Sequence, residues 1–533
     1  MRTNLYPRIV TLTMLKAWFA SELSLRHCGR PRIFLGTNSR VLFVLVALML
    51  SACTTLPGDL GRSSVSVLTA EHGRAIPTQS PAALIRSLTA ETLSTETAIS
   101  LALVNNSELQ ARFAHLGFAA ADVYEAGRIR NPVFSVGVLD SSRSGGRDQL
   151  TIGIVGSFTD LITLPARKRL AGAEYATLKQ DIGAAVLDTA AQAQRAYYRY
   201  IAAQQTAAMR HQTAKAAALT LEMATRYQDA GNLTPRAYAL AQGSAAEGQL
   251  EALRADIERY EARAELAAVL GISVSGSWGA PAQLPVPPAH EDPLDDLLAL
   301  AAESRLDLAA ARARVDSLAD RLGVTRWTGV LGDADVGLAR ERESDGARLS
   351  GPTLDWDVPI FAQSRGALMR VDAELQLALA EYAGLSMQVQ NDVHLAYAAT
   401  QNARARAATY RDRLIPARIA ATNRAQEEEN FMLIGIFELI ETKQDEYDSY
   451  QGYLEIVRDY WLARTALGRA VGKALPGSAH VGDVRLDVDD LIRSQPADTH
   501  SGHQGMDHSG DGEQEQPVEA QPENHGAHHH EGD

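Results

Sequence analysis

The sequence predicts a mostly α-helical chain that supplies four strands to a membrane β-barrel, built from a duplicated helix–β-hairpin–helix unit with long coiled-coil helices. Three observations predict it. Two short runs near residue 140 alternate apolar with small or polar residues at a period of two. Long alanine-rich stretches follow them. The same order of features returns about 200 residues later.

Among residues 131–139, Phe134, Val136 and Val138 share one face, with Ser135 and Gly137 on the other. Among residues 150–158, Leu150, Ile152, Ile154 and Phe158 lie opposite Thr151, Gly153 and Ser157. Each run is about nine residues, which a tilted strand needs to cross a bilayer. One such hairpin would equally suit the half-buried sheet of a soluble domain. The recurrence of the whole arrangement favours the membrane.

At 533 residues the chain is too long for one compact domain unless it is elongated or repetitive. Aromatic residues make up 6% and alanine is abundant, which suits closely packed helices. Net charge is −14; residues 481–533 hold 13 Asp/Glu against Arg485 and Arg493, or −11, leaving −3 for the body. A nearly neutral body with an acidic tail does not suggest nucleic-acid binding. With only Cys28 and Cys53, the chain has no disulfide framework and no Cys-based metal site.

Taken in order, residues 41–49 form a short apolar run behind Arg30, Arg32 and Arg40. It is too short to span a bilayer and fits the core of an export signal. It ends in Leu50, Ser51, Ala52 and Cys53, which looks like a bacterial lipoprotein signal. That likeness implies removal of residues 1–52, acyl chains such as palmitate on Cys53, and sorting to the outer membrane, since Thr54 rather than Asp follows. An ordinary signal with an incidental Cys is the other reading. Residues 1–40 are long for a leading segment and fit a start site placed too early. Residues 53–93, with scattered Pro, Gly, Ser and Thr, read as an extended, lipidated tether.

Two repeats follow, over 94–275 and 290–475. Leu101, Leu109 and Ala111 correspond to Leu300, Leu308 and Ala310, each pair 199 residues apart. Pro165 corresponds to Pro359, Tyr197 to Tyr397, Gly231 to Gly435 and Gly271 to Gly472. The first repeat should hold helices near 97–128, 166–230 and 235–270. Pro235 suits a helix start, and Gly231 breaks the chain just before it. The middle helix, about 65 residues, would extend ~97 Å at 1.5 Å per residue. The other two should stack end to end beside it. The second repeat should hold helices near 294–322, 361–430 and 436–471, with strands at 333–339 and 348–358 around the loop 340–346. Pro352 weakens the last strand. Helices this long need neighbours along their whole length. Four strands cannot close a barrel, and an open edge in lipid leaves backbone groups unpaired at several kcal/mol each. Two or three chains must therefore combine, giving eight strands or twelve.

The duplicated unit, the Asn131-Pro132 entry to the first strand, the exit at Val358 to Phe361 and the breaks at Gly231 and Gly435 resemble the TolC-type outer membrane efflux proteins. The likeness runs from about Leu93 to Leu475 and rests on the order of these features. With the lipoprotein signal, it points to the branch serving drug and cation efflux pumps. The resemblance implies a homotrimer with one twelve-stranded barrel, anchored in the bacterial outer membrane lipid. It also implies a long α-helical periplasmic tunnel whose tips meet a periplasmic adaptor (membrane fusion) protein and, through it, an inner-membrane pump. Such a channel is a passive, gated duct.

The resemblance places the gate where the helices turn back, near 227–235 and 427–438, within a ring of acidic side chains. Glu441, six residues after Gly435, matches one such carboxylate. Gln444 and Ala237 stand where others are expected, so the ring is thinner here. Glu427, Glu428 and Glu429 lie just before the second turn and would put nine carboxylates around a trimeric mouth, which would favour cations; a solvated helix end is the plainer reading. Asp333 and Asp335 are candidates for the barrel interior.

After Leu475 the periodic pattern stops. Residues 476–533 form an acidic, His-rich tail with little to bury, expected to be disordered. His500, His503, Met506, His508, His525, His528, His529 and His530 are candidate ligands for copper or another transition metal. A solubilising tail is the alternative. No HExxH, phosphate loop or nucleophile elbow is found, so no enzyme and no bound cofactor is expected. The function that fits best is an efflux duct for heavy-metal cations such as copper. A drug-efflux or protein-secretion duct of the same fold remains open, as does a lipid-anchored coiled-coil protein that sequesters metal without a pore.

Overall fold

A computed structural model describes residues 58–90, 92–140, 147–288, 290–361 and 364–475. The signal region and Cys53 lie outside these residues, as does the tail with every candidate metal ligand.

The helices in chain order are α1 (Arg62–Glu71), α2 (Pro81–Ala90), α3 (Thr95–Asn105) and α4 (Ser107–Ala126). The strands β1 (Val133–Leu139) and β2 (Gln149–Ser157) lead to α5 (Phe158–Asp229) and α6 (Pro235–Leu270). The second repeat comprises α7 (Leu294–Ser304), α8 (Leu306–Leu331), β3 (Asp333–Arg342), β4 (Arg348–Asp357), α9 (Arg365–Thr409), a π-turn (Tyr410–Leu414), α10 (Ile415–Asn430) and α11 (Ile436–Val471).

α5 has 72 residues, about 108 Å of helix. It starts earlier than Pro165 suggests because the Ser157 hydroxyl caps the Asp160 amide and Pro165 lies only two turns inside. The bounds of α6 and α11 match the sequence reading. Thr234 caps α6 and Pro235 occupies its first position, while Gly271 and Gly472 close the two helices in the left-handed conformation.

Three expectations change. The helix expected over 97–128 is two helices. Asn106 stops the first and caps the second by accepting from the Leu109 amide, 3.0 Å. Its amide nitrogen donates to the Val269 carbonyl, and that of Asn105 donates to the Leu270 and Gly271 carbonyls, ending α6. In the second repeat Arg305 likewise breaks the helix and donates to the Ala470 carbonyl, 3.1 Å. The segment read as an extended tether carries α1 and α2. Val65 and Thr69 of α1 are buried, Leu68 sits close over Gly183, and the Tyr175 hydroxyl donates to the Leu60 carbonyl. Apolar residues one helical turn apart make this stretch a strap on α5.

The third change is the π-turn. Tyr197 and Tyr397 stand 200 residues apart, whereas the helix ends Gly271 and Gly472 stand 201 apart. The π-turn absorbs the one extra residue inside the helix, with the Tyr410 ring packed on Gly452.

The four strands form one antiparallel sheet in the order β1-β2-β3-β4. Beside it α4, α5, α8 and α9 lie side by side, and farther from the sheet the order becomes α6, α5, α11, α10. The chain is therefore a wall four elements wide at every level. The largest buried side chains, Trp461, Tyr450, Tyr453 and Tyr460, sit mid-length where α3, α5, α6 and α11 meet. No helix among the described residues is long and apolar enough to cross a membrane.

Candidate conduit and gate

The register sorts the sheet into two faces. Directly paired residues point the same way, so Phe134, Ile154, Leu338 and Pro352 form one row across the sheet. Val136, Ile152, Val336, Leu354 and Trp356 belong to the same face, and all of these residues are exposed. An apolar face exposed on one chain has the character of a lipid-facing belt. Trp356 sits at its helix-proximal end and donates to the Leu331 carbonyl, 3.1 Å. Arg340, Arg342 and Arg348 mark the other end.

The opposite face carries Ser135, Thr151, Gly153, Ala339, Gly351 and Thr353, with Glu341 donor-bonded by Gln149. Asp333 pairs across with Asp357, and Asp335 with Asp355. The sequence singled out Asp333 and Asp335; their cross-strand partners were missed, because only the register shows that the even positions of β4 are the apolar ones. Among the described residues neither outer edge of the sheet, β1 or β4, has a further strand neighbour, and every residue of β1 is exposed.

Under the sheet, Asp160 is buried and takes a bidentate contact from Arg130, 2.5 and 3.0 Å, with Arg167 at 3.5 Å. The Arg130 guanidinium holds the Asp160 carboxyl below the usual carboxylate range. A depressed carboxylate stabilises the fold above its unfolded value, and that contribution fades as pH falls through the lowered one. The Thr159 hydroxyl accepts from the Ala334 amide, 2.7 Å, tying the start of α5 to β3 of the other repeat.

At the far end, the two helical turns differ in a way the sequence hid. In the first, the Gly231 amide donates to Gln228 and that of Asn232 to Tyr227, with Gly231 at φ +75°. In the second, the Met432 amide donates to Glu429 and that of Leu433 to Glu428, with Met432 at φ +57°. Met432, not Gly435, is therefore the counterpart of Gly231. Gly435 occupies the position of Thr234 and starts α11 without a side-chain cap. The eye aligns Gly with Gly, while the backbone aligns left-handed with left-handed. A non-glycine residue there costs about 1–2 kcal/mol. Phe431, Met432 and Leu433 are exposed, so the second tip is apolar where the first carries Gly231 and Asn232. The tips touch through Tyr227 and Phe437, ring centroids 6.1 Å apart. Met432→Gly is expected to slow amide exchange across 427–435. Gly231→Ala, with open space around its new Cβ, should speed it across 226–234 by a backbone penalty of similar size.

The candidate gate acids sit beside this tip. Glu427 is exposed and paired with Arg424 at 3.0 Å, Glu428 is exposed, Glu429 is half-buried, and Glu441 is exposed in the second turn of α11. Among the described residues no group of three or more His, Cys, Asp or Glu is placed to hold a metal ion. Within one chain these carboxylates are separate charges.

No family model matches the chain. The cobalt-zinc-cadmium resistance protein CzcC of Cupriavidus metallidurans is 24% identical over 387 residues, covering 72% of this chain and 90% of CzcC. The CmeC outer membrane channel of Campylobacter jejuni superposes with a TM-score of 0.62 at 14% identity, over 72% of this chain and 86% of CmeC. The outer membrane protein VceC of Vibrio cholerae superposes with a TM-score of 0.60 at 19% identity, over 71% of this chain and 96% of VceC.

Proposed function

We propose, from a chain that has the fold of the TolC-type outer membrane efflux proteins, that it is the outer membrane duct of a tripartite efflux system carrying heavy-metal cations. The observation that carries this reading is the two-faced sheet with both edges unpaired: one face apolar and exposed, the other polar and acidic. Such a sheet meets lipid outside and water inside only when further copies complete it. Three chains would give twelve strands and enclose an aqueous lumen lined by the Asp333–Asp357 and Asp335–Asp355 pairs. The duct performs no chemistry, and Cys53 anchors it through acyl chains. An adaptor at the helix tips joins it to an inner-membrane pump that supplies the driving force.

The similarity to CzcC makes cobalt, zinc and cadmium the first cargoes to test, with copper next on account of the tail. The tail's His500, His503, Met506, His508, His525, His528, His529 and His530 extend the reading to a metal-gathering segment. Deleting the gene is expected to lower tolerance of at least one of these metals several-fold. Removing residues 498–533 alone should lower tolerance less and leave the assembly intact. Unchanged growth of the deletion strain on all four metals would contradict the cargo.

A further inference from the structure

Charge is sorted by face at the end of the sheet away from the helices. Arg340 and Arg342 stand on the apolar face of β3, and Arg348 stands directly across from Arg342 on β4. Arg340 and Arg348 are exposed and Arg342 is half-buried. Glu341, between the two β3 arginines, points to the other face and is held there by Gln149. Asp345, in the turn between β3 and β4, accepts from the Ala347 amide instead. Like charges directly opposite on neighbouring strands repel. Among the described residues, none of the three guanidiniums has a hydrogen-bond or ion-pair partner, and the Arg342 Nε is also sealed from solvent. A buried donor on a charged group costs stability until an acceptor meets it.

The neighbours of this cluster are apolar. Leu150 pairs with Arg342 and Ile152 with Arg340, and Val138 and Val136 continue the same rows on β1. The apolar belt therefore ends sooner on β3 and β4 than on β1 and β2, and the arginines fill the step. Ser350, opposite Arg340, adds a hydroxyl.

The height fits a membrane boundary. Between Trp356 and Arg348, β4 rises ~27 Å at about 3.4 Å per residue. Barrel strands tilt by about 35–45°, which leaves roughly 20 Å of height against an apolar band of about 25 Å. Trp356 marks the boundary on the helix side. The three guanidiniums, carried on long stems, reach the opposite one.

We propose that Arg340, Arg342 and Arg348 form a site for the phosphate groups of a lipid headgroup in the outer leaflet, with the acyl chains of that lipid lying on Leu150, Ile152 and Leu338. Guanidinium forks take phosphate oxygens two at a time. A phosphate between Arg342 and Arg348 turns their mutual repulsion into a shared attraction. The apolar step beside the forks selects a lipid over a free anion. The proposal rests on the reading of this sheet as a barrel wall and adds what its outer rim holds.

The test uses the full-length acylated assembly, purified in a non-ionic detergent and stripped of native lipid, with Arg340→Gln, Arg342→Gln and Arg348→Gln introduced together. The probes are an acylated glucosamine disaccharide bearing two phosphates, the same glycolipid with its phosphates removed, and inorganic phosphate. The unmodified assembly is expected to retain the phosphorylated lipid far better than the dephosphorylated one, and retention should fall roughly fivefold for each arginine replaced. The phosphorylated lipid should also raise the temperature at which the unmodified oligomer dissociates, and leave that of the triple variant unchanged. Arg342→Gln alone gives the same comparison should the triple variant fail to assemble. Equal retention by the unmodified and glutamine forms, or equal retention of both lipids, overturns the site and leaves the barrel standing. Full displacement of the lipid by inorganic phosphate overturns a lipid as the occupant. An assembly that takes up neither lipid overturns the site and the barrel wall together.

Discussion

Replacing Glu291 by alanine will cost the fold about 3–5 kcal/mol, the penalty for stripping one partner from a buried ion pair. Glu291 lies in the linker between the repeats and meets Arg464 of α11 at 3.1 Å, the two side chains being 3% and 5% exposed. The Tyr460 hydroxyl also donates to Glu291, and burial with that carboxylate pushes the phenol far above its ordinary range. The neighbouring Trp461 indole donates to the Pro285 carbonyl, 2.8 Å, so one turn of α11 holds the linker at two points. Without the carboxylate, Arg464 keeps its charge in a site with no solvent. Thermal unfolding followed by circular dichroism should show the loss for Glu291→Ala and for Arg464→Met separately. The double variant Glu291→Met with Arg464→Met should recover most of it, because two apolar side chains leave no orphaned charge. A double variant as unstable as the sum of the singles would mean that the pair stabilises by more than mutual neutralisation.

Leu338→Arg will abolish assembly where Ala339→Arg does not. The two residues are neighbours on β3 and point to opposite faces. Leu338 stands in the row of Phe134, Ile154 and Pro352, mid-way along the apolar belt and 63% exposed on the single chain. Ala339 stands in the row of Ser135, Gly153 and Gly351. An arginine at mid-bilayer costs about 2–4 kcal/mol per chain, whereas one facing a water-filled lumen is tolerated. Every copy would carry the substitution, so the penalty multiplies around the ring. The fraction of heat-modifiable oligomer in outer-membrane extracts reads the difference. Equal yields from both variants would remove the lipid-facing assignment of the even positions.

The contrast between these faces was legible in the sequence for β1 and β2, where alternation is clean, and less so for β3 and β4, where Pro352 and the charged loop blur it. Helix ends set by local chemistry were also legible: Pro235 with Thr234 before it, and the glycines at 271 and 472. What escaped reading depended on contacts between distant segments. Asn106 and Arg305 break helices because each caps another helix more than 160 residues away. The buried face of α1 is a single turn within a Ser-rich stretch, too short to stand out by periodicity. Met432 could not be recognised as left-handed, since its residue type disfavours that conformation and Gly435 stands three residues on. Of the candidate gate acids, Glu427, Glu428 and Glu441 are exposed near the turn and Glu429 is half-buried. Their arrangement around a mouth belongs to the assembly, not to one chain. Cys53 and the tail lie outside the described residues, so their roles rest on sequence chemistry alone.

Single-channel recording in planar bilayers tests the central claim most directly, because it asks whether copies of this chain close a barrel around water. Purified, acylated protein is expected to give discrete conductance steps of uniform size. Their reversal potential in a salt gradient should lie on the cation side if Asp333, Asp335, Asp355 and Asp357, which share the polar face of the sheet, line the proposed lumen. Protein that binds the bilayer yet leaves its conductance at the bare-membrane level, with no discrete steps, would contradict the duct.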